Sequence, residues 1–425
     1  LAFVLPPERA APRSSTRFMH GRMVMFGQSH PEVLVVGAGP VGLITALFLQ
    51  RNKVRVEIVD MHQRTHQNSY ALAIHPRTLD VLDEAGLLEP LIAVGRKLTR
   101  VAFYEGRNRR AEIDYSRLTC RHPYLLVVRQ DLVERAMEKA LRAHKLRVQW
   151  GHRLESLAPN GGAVRASVAK LDQVASGYAV ARSEWVVVRS RTVHPAFVVG
   201  ADGYDSAVRR MAGIDMAEHG SSQLFAVYEI EATGELPAEG RVILDPDLTS
   251  VYWPLEEGRC RWGFQINDAD EYAPSIDRLE QLLAARAPWF TARPDRVYWS
   301  TRALFESRLT RSFGGGGVWL VGDAAHQAEP VGVHSMNLGL IEGHDLATRI
   351  SRIRRADGSS SLLQEFATDT HDAWEGLFDA RHTVRALPEA DPWVRQNAAR
   401  ILACIPASGA DLQPLLTQIG VETAA

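Results

Sequence analysis

The residues with the clearest chemical use lie near the start of the chain, where Gly37, Gly39 and Gly42 recur as Gly-x-Gly-x-x-Gly. Glycines at this spacing let the backbone approach a pyrophosphate, and a helix that follows offers the anion its unpaired N–H groups and positive dipole end. The bare pattern is weakly specific, and a glycine-rich turn in an unrelated α/β protein is the bland alternative. Its surroundings add weight. The β-branched run 32–36 leads into the turn, residues 43–50 are apolar and favour a helix, and a second apolar run, 54–59, ends on Asp60. An acidic residue about 20 positions on, at the end of the second strand, bonds a ribose hydroxyl and disfavours a 2′-phosphate. The bound adenosine therefore belongs to FAD or NAD.

These residues require a parallel sheet to carry them. Helical patterns follow at residues 76–85 and 130–143, and residues 101–128 between them mix short apolar runs with Arg and Gly. Alternating runs over 151–199 predict a β-meander with Gly161-Gly162 as a turn. Strands at 224–232, 241–244, 250–253 and 261–266 predict a separate antiparallel sheet, assigned to a substrate domain. Beyond Asp323 the pattern is helical, with amphipathic spacing at 366–381 and 393–404. The expected organisation is a leader or disordered tail at 1–30, a dinucleotide-binding part at 31–215 with inserted strands, and the substrate sheet at 216–310. The dinucleotide-binding part resumes at 311–355, and terminal helices occupy 356–425.

With 425 residues, 46% of them hydrophobic, the chain can bury a substantial core. Its 49 basic and 50 acidic side chains leave no excess for a nucleic-acid track or an anionic membrane, so the expected partners are small molecules. Three scattered cysteines, Cys120, Cys260 and Cys404, fit neither a zinc site nor a disulfide framework and suit a reducing cytoplasm. No apolar run approaches the roughly 20 residues of a transmembrane helix. Residues 1–30 carry Arg9, Arg13, Arg17 and Arg22 with little periodicity, while Met19, Met23 and Met25 are alternative starts.

Two later segments separate FAD from NAD, because a dehydrogenase has no use for them. Ala201-Asp202-Gly203-Tyr204-Asp205-Ser206-Ala207-Val208-Arg209-Arg210 resembles the Asp-Gly motif of the FAD-dependent aromatic hydroxylases, single-component flavoprotein monooxygenases of p-hydroxybenzoate hydroxylase-like fold. Val321-Gly322-Asp323-Ala324-Ala325-His326 resembles their Gly-Asp motif and follows in the expected order. Ser69-Tyr70-Ala71 through His75-Pro76-Arg77-Thr78-Leu79 is similar to their stretch after the second strand, and Arg129-Gln130-Asp131-Leu132 to their next helix start. The resemblance runs from about Glu32 to Ile419. It implies an α/β fold in which a Rossmann-like FAD-binding domain is interleaved with an antiparallel-sheet substrate domain and followed by a helical C-terminal segment. It also implies FAD as cofactor and NADPH or NADH as a transient reductant, since no second strand, glycine turn and helix unit is present.

Residue by residue, the resemblance places Gly37, Gly39, Pro40, Val41 and Gly42 at the pyrophosphate and Asp60 with Met61 at the adenosine. Arg77 and Arg129 fall near the phosphate or ribityl region, and Asp202 and Gly203 on the pyrophosphate side, where the reductant approaches. Asp323 falls on the ribityl chain. Pro330, Ser335, Met336 and Asn337 border the flavin ring. There the sequence departs from the family's pattern: in Pro330-Val331-Gly332-Val333-His334-Ser335-Met336-Asn337, Val333 and Ser335 replace two expected glycines and His334 stands where Gln is common. Glycine lets a backbone come close and take unusual dihedrals, so the replacements bear on the ring's position or its freedom to swing, or mark a subfamily with its own substrate.

The activity implied is hydroxylation of an aromatic or polyketide-like small molecule, with NAD(P)H reducing FAD and O2 forming a flavin C4a-hydroperoxide that passes on one oxygen atom. No unique base stands out. His75, Tyr70 and His334 are candidates by position, with Pro330 beside the ring. His334 reads equally as a solvated turn residue, His326 as a packed or capping histidine, and Arg209 and Arg210 as surface partners of carboxylates. Trp253, Trp262, Tyr252 and Phe264 line an apolar pocket or belong to the core. Rivals on the same fold are a Baeyer-Villiger or epoxidising monooxygenase and a prenyl reductase. A halogenase ranks below them because Tyr252-Trp253-Pro254-Leu255 does not match its Trp-x-Trp-x-Ile-Pro signature. The non-enzymatic rival is a flavin-binding sensor or scaffold, motivated by the altered turn. Substrate identity and oligomeric state stay open.

Overall fold

Four buried aliphatic residues in a row, Val33–Val36, form strand β1, which lies at the centre of a parallel sheet. A continuous apolar strand of this kind belongs where both faces are covered. The computed structural model describes residues 30–64, 72–160, 162–176, 182–267, 275–356 and 358–423. Tyr70 and the expected leader, residues 1–29, lie outside the described residues.

Helix α1, Pro40–Arg51, starts with Pro at its first turn, where no donor is lost, and strand β2, Val56–Asp60, returns parallel to β1. On the other side of β1 run Phe197–Gly200 and then Val318–Leu320, both parallel. Gln149–Trp150 pairs parallel with the end of β2. Stretches from 33 to 320 thus build one sheet, and their C-terminal ends bring the glycine motifs together.

Helix α2, Pro76–Glu84, follows a short three-stranded sheet of Ala73–Ile74, Leu125–Val127 and Arg96–Leu98. Helix α3, Gln130–Ala143, has the expected bounds and buries Val133, Met137 and Leu141 along one stripe. The expected meander is His152–Asn160, Ala163–Ser176 and Arg182–Val193 in antiparallel order.

The second sheet has seven strands and is larger than its predicted 216–310 segment. Arg100–Glu105 and Asn108–Asp114, placed with the dinucleotide-binding part by sequence position, pair into it, the former lying parallel to Gly240–Leu244. The 13-residue strand Arg293–Phe305 forms its opposite edge and carries too many charged and polar residues to show a simple alternation. On one face Tyr252, Trp262 and Tyr228 stand opposite one another across three strands. They make a buried second core with Phe264, Trp289 and Phe290 under the helix Ile276–Arg286. The pocket reading of Tyr252, Trp262 and Phe264 is therefore replaced by a core reading. Trp253 points to the other face and packs into the main core, where a Cβ on Gly240 would approach its ring.

Helices α4, His334–Arg354, α5, Ser361–Thr383, and α6, Pro392–Cys404, complete the body. Close packing of α4 on α1 depends on small residues: a Cβ on Gly343 would lie 2.5 Å from Thr45 Oγ1. Among the described residues no helix is long and apolar enough to cross a membrane.

Candidate functional site

The turn Gly37–Gly42 shows why each glycine is there. Gly37 has φ +103°, and a Cβ on it would overlap the Ala201 carbonyl oxygen, while a Cβ on Gly42 would overlap the Gly37 carbonyl. Gly39 has nothing within 4 Å of a Cβ position, and as N-cap of α1 it provides no side-chain cap. The first-turn N–H groups of a largely buried helix thus face open space over Gly39. Asp60 closes the opposite side: its carboxylate accepts the Ala38 N–H at 2.7 Å and the His62 N–H at 2.8 Å, and the His62 ring meets it through Nδ1 at 2.9 Å. A carboxylate has about four acceptor positions, so these three contacts leave one for a ribose hydroxyl. Met61, half exposed, offers an apolar surface beside it.

The Asp-Gly segment packs directly on this turn through Ala201. Asp202 spends its carboxylate on its own loop, accepting the Ser206 hydroxyl at 2.5 Å and the Val208 N–H at 3.1 Å. Burial raises its pKa, and these donors offset part of that rise. Gly203, at φ +79°, is open to its surroundings. Arg209 is no surface partner of a carboxylate, for it donates to the carbonyls of Ala324 at 3.0 Å and Tyr204 at 3.2 Å and ties the Asp-Gly loop to the Gly-Asp turn. Arg210 does pair with Asp205 at the surface.

In the Gly-Asp turn, Gly322 has φ +63° and fits between Val41 of α1 and Gly339 of α4. Asp323 is exposed although Gly322 and Ala324 on either side of it are buried, so it looks outward from a recess. Although solvent reaches it, desolvation by the surrounding walls raises its pKa; His326 opposes that rise and Glu342 adds to it. Behind the turn lies a cluster that motif reading overlooked. Glu342, 5% exposed, accepts the Gly322 N–H at 3.0 Å, His326 Nε2 at 2.8 Å and the Trp374 indole N–H at 2.7 Å. Burial pushes its pKa up, but His326 and the three hydrogen bonds outweigh this and hold it below the ordinary value. The available signal was a carboxylate inside the apolar, small-residue helix pattern Gly339-x-x-x-Gly343. His326 is packed, as one reading had it, stacked on Trp374 at 3.9 Å.

The turn before α4 keeps the glycine geometry without the glycine. Val333, the N-cap, sits at φ 53°, ψ 34°, a left-handed conformation rare for a β-branched residue. Asn337 holds it there. The Asn337 amide donates to the carbonyls of Val333 at 2.8 Å and Ala73 at 2.9 Å, and its oxygen accepts the His75 N–H at 2.8 Å. Both amide donors are committed to protein backbone, so the side chain of Asn337 shapes the turn. Ser335 Oγ accepts the Ala328 N–H at 2.9 Å, and the Pro330 carbonyl accepts the Val333 N–H at 3.3 Å. Met336 is buried. Since Val333 provides no side-chain cap, the first N–H groups of α4 stay available to an acceptor.

Two proposed bases fail on accessibility. His75 is 0% exposed and hydrogen-bonds through Nε2 to the Gly332 carbonyl at 2.9 Å. His334 is 1% exposed, packs edge-on to His75 with ring centroids 5.8 Å apart, and presses against Gly332. Burial pushes His75 well below the ordinary histidine value, helped by His334. Burial and then the Arg381 cation push His334 down to about 4, against backbone groups at Ile405 and Ala407. Both are neutral rings buttressing the turn, and the solvated reading of His334 falls with them.

Arg129 lies at the start of α3, bonded twice to Asp131 at 3.1 Å and 3.8 Å from Glu229 of the second sheet. Glu229 in turn pairs with the buried Arg261. Arg77, exposed on α2, reaches toward Gly409, where a Cβ would lie 2.8 Å from its Nη1.

The fold and site define an α/β dinucleotide-binding protein with a second, mostly antiparallel sheet. A family model described as an FAD binding domain matches residues 30–381, and the chain belongs to that family. It is 28% identical over 367 residues to 6-methylpretetramide 4-monooxygenase of Streptomyces rimosus, an alignment that takes in 84% of this chain and 62% of that protein. The crystal structure of p-nitrophenol 4-monooxygenase from Pseudomonas putida DLL-E4 superposes with a TM-score of 0.73 at 22% identity, covering 92% of this chain and 96% of that one. Aklavinone-11 hydroxylase, solved with FAD and aklavinone, gives 0.68 at 21% identity over 82% of this chain and 67% of that one. The solved structures establish the p-hydroxybenzoate hydroxylase-like fold, and the family model establishes FAD as the cofactor. The chain spans 62 to 66% of the length of the first three curated relatives it matches.

Proposed function

We propose that the protein is an FAD-dependent monooxygenase that uses NADH or NADPH and O2 to hydroxylate an aromatic or polyketide-like small molecule. The observation that carries this reading is convergence: Gly37 meets Ala201 of the Asp-Gly segment while Val41, four residues on, meets Gly322 of the Gly-Asp turn. Three segments spread over nearly 300 residues of sequence thereby line one site. The relatives named above are monooxygenases and hydroxylases of aromatic or polycyclic compounds, which supports the same class here.

The residues fit the cofactor. Gly39 and the N-terminus of α1 receive the pyrophosphate, with Pro40 and Val41 shaping the helix start, and Asp60 and Met61 hold the adenosine. Asp323 bonds the ribityl chain, and Arg129 neutralises phosphate charge. The uncapped N-terminus of α4, at Ser335 and Met336, would offer N–H groups to the electron-rich edge of the ring, and Pro330 would border it. FAD bound there would supply the redox chemistry, by which two electrons from NADH or NADPH and one O2 would give one oxygen atom to the substrate and one water. The protein's share is to keep that region dry and oriented. Arg77 braces the C-terminal segment, and Gly203 leaves the reductant's side open. With His75 and His334 sealed, substrate deprotonation falls to Tyr70 or to the substrate's own acidity. Residues 31–215 and 311–355 are the flavin-binding part, and the seven-stranded sheet borders the substrate. Three free thiols fit a cytoplasmic setting.

The test is a visible spectrum of the purified protein during anaerobic NADPH or NADH addition, with and without a panel of phenols and quinolones. Flavin that bleaches faster with an aromatic ligand supports a hydroxylase. Flavin that no reductant bleaches supports a sensor, and product mass separates hydroxylation from Baeyer-Villiger, epoxidation or prenyl-chain reduction.

A further inference from the structure

The carboxylate of Glu342 is buried, and it touches the turn that Asp323 stands on. Gly322 opens a one-turn helix, so its N–H has no partner within that turn. It donates instead to Glu342 Oε2. The same helix α4 supplies Gly339, three residues earlier and on the same face, which gives Gly322 room to approach. Gly322 is thus seated by Gly339 and Val41 and fastened by one charged hydrogen bond.

Glu342 is itself held from two other parts of the chain. Oε2 also accepts from His326, which follows the turn in the short strand His326–Gln327, and Oε1 accepts from Trp374 of α5. The indole stacks on the imidazole with planes 25° apart, so the two donors brace each other. His326 reaches Glu342 through Nε2, and its Nδ1 is buried with no hydrogen-bond partner. Three donors directed at one buried carboxylate favour its charged form and keep it a strong acceptor.

We propose that Glu342 is a positioning residue for the cofactor's ribityl side: it fixes the Gly322 backbone and thereby the aim of Asp323, and Trp374 of α5 acts on the cofactor through it. The proposal rests on reading Asp323 as a ribityl ligand. It assigns α5, which contributes no residue to the cofactor site, an influence on FAD affinity.

A double-mutant cycle on FAD binding tests this. FAD dissociation constants are measured by flavin fluorescence on the apoprotein for the parent, Asp323→Asn, Glu342→Gln and the double variant. Loss of a charged hydrogen bond predicts roughly tenfold to hundredfold weaker binding for Glu342→Gln. In the Asp323→Asn background the same change should cost little, because the group it aims is already disabled. Equal losses in both backgrounds mean a general structural role and overturn the proposal, as does an unchanged affinity in Glu342→Gln. If Asp323→Asn alone leaves FAD affinity unchanged, the reading of Asp323 as a ligand falls instead. Should Glu342→Gln fail to fold, Trp374→Phe removes one donor and keeps the stacked ring; a few-fold loss confined to the Asp323 background supports the proposal, and no loss overturns it.

Discussion

The protein has two glycine-type turns at the N-termini of buried helices, and they are built on opposite terms. At Gly37–Gly42 each position that must be glycine is glycine, because the Ala201 and Gly37 carbonyls leave no room for a Cβ. At Val331–Asn337 the chain adopts a left-handed residue with Val333 and holds it from outside, through Asn337, His75 and the neighbouring His334. The first turn is set by local sterics and the second by tertiary hydrogen bonds and packing. A backbone shape can be kept after its usual residue is lost, provided the surroundings over-determine it.

The largest effect should come from the first turn. Gly37→Ala forces a Cβ onto a backbone carbonyl at a positive φ, with an expected loss of about 3 kcal/mol or more and no FAD uptake. Urea unfolding and flavin absorbance of the purified variant check both; a stable, yellow Gly37→Ala protein would show that the turn is not sterically set.

The second turn should instead respond to pH, because its braces titrate. The folded value of His334, about 4, lies below the 6.5 of an unfolded histidine. Its contribution is therefore fully present above pH 6.5 and is lost as pH falls toward 4, by about 3 kcal/mol across that window. His75 shifts in the same direction. Unfolding midpoints at several pH values should show a steeper acid loss for the parent than for His334→Gln, and parallel curves would refute the assignment.

The smallest effect separates strain from packing at Val333. Both Val333→Ala and Val333→Gly lose the buried side chain, but only glycine relieves the left-handed strain. Val333→Gly should be the more stable of the two by about 1 kcal/mol, the reverse of the usual order for these residues. The usual order in the measured stabilities would mean that the turn is not strained.

Much of the frame was legible from single residues. The bounds of Gln130–Ala143 follow from apolar spacing, and β1, α1 and β2 follow from the glycines and Asp60 between apolar runs. The strands Arg100–Glu105 and Asn108–Asp114 were harder to place, since their short mixed runs do not say which sheet they join. The burial of His334 was hard to read for a related reason. A turn rich in small residues normally faces solvent, but the segment around Ala403 to Ser408 closes over His75 and His334.

The dinucleotide turn, its acidic partner and the order of the three motifs can be read from the residues alone, because each depends on steric or charge demands met by one residue or its near neighbours. Packing of distant segments turns Asn337 to the backbone, makes Arg209 a bridge between two motifs and sets Glu342 and Trp374 behind Asp323. Those contacts join residues from 20 to more than 260 positions apart. Burial and hydrogen-bond partners at such separations are properties of the packed chain, and no local pattern encodes them.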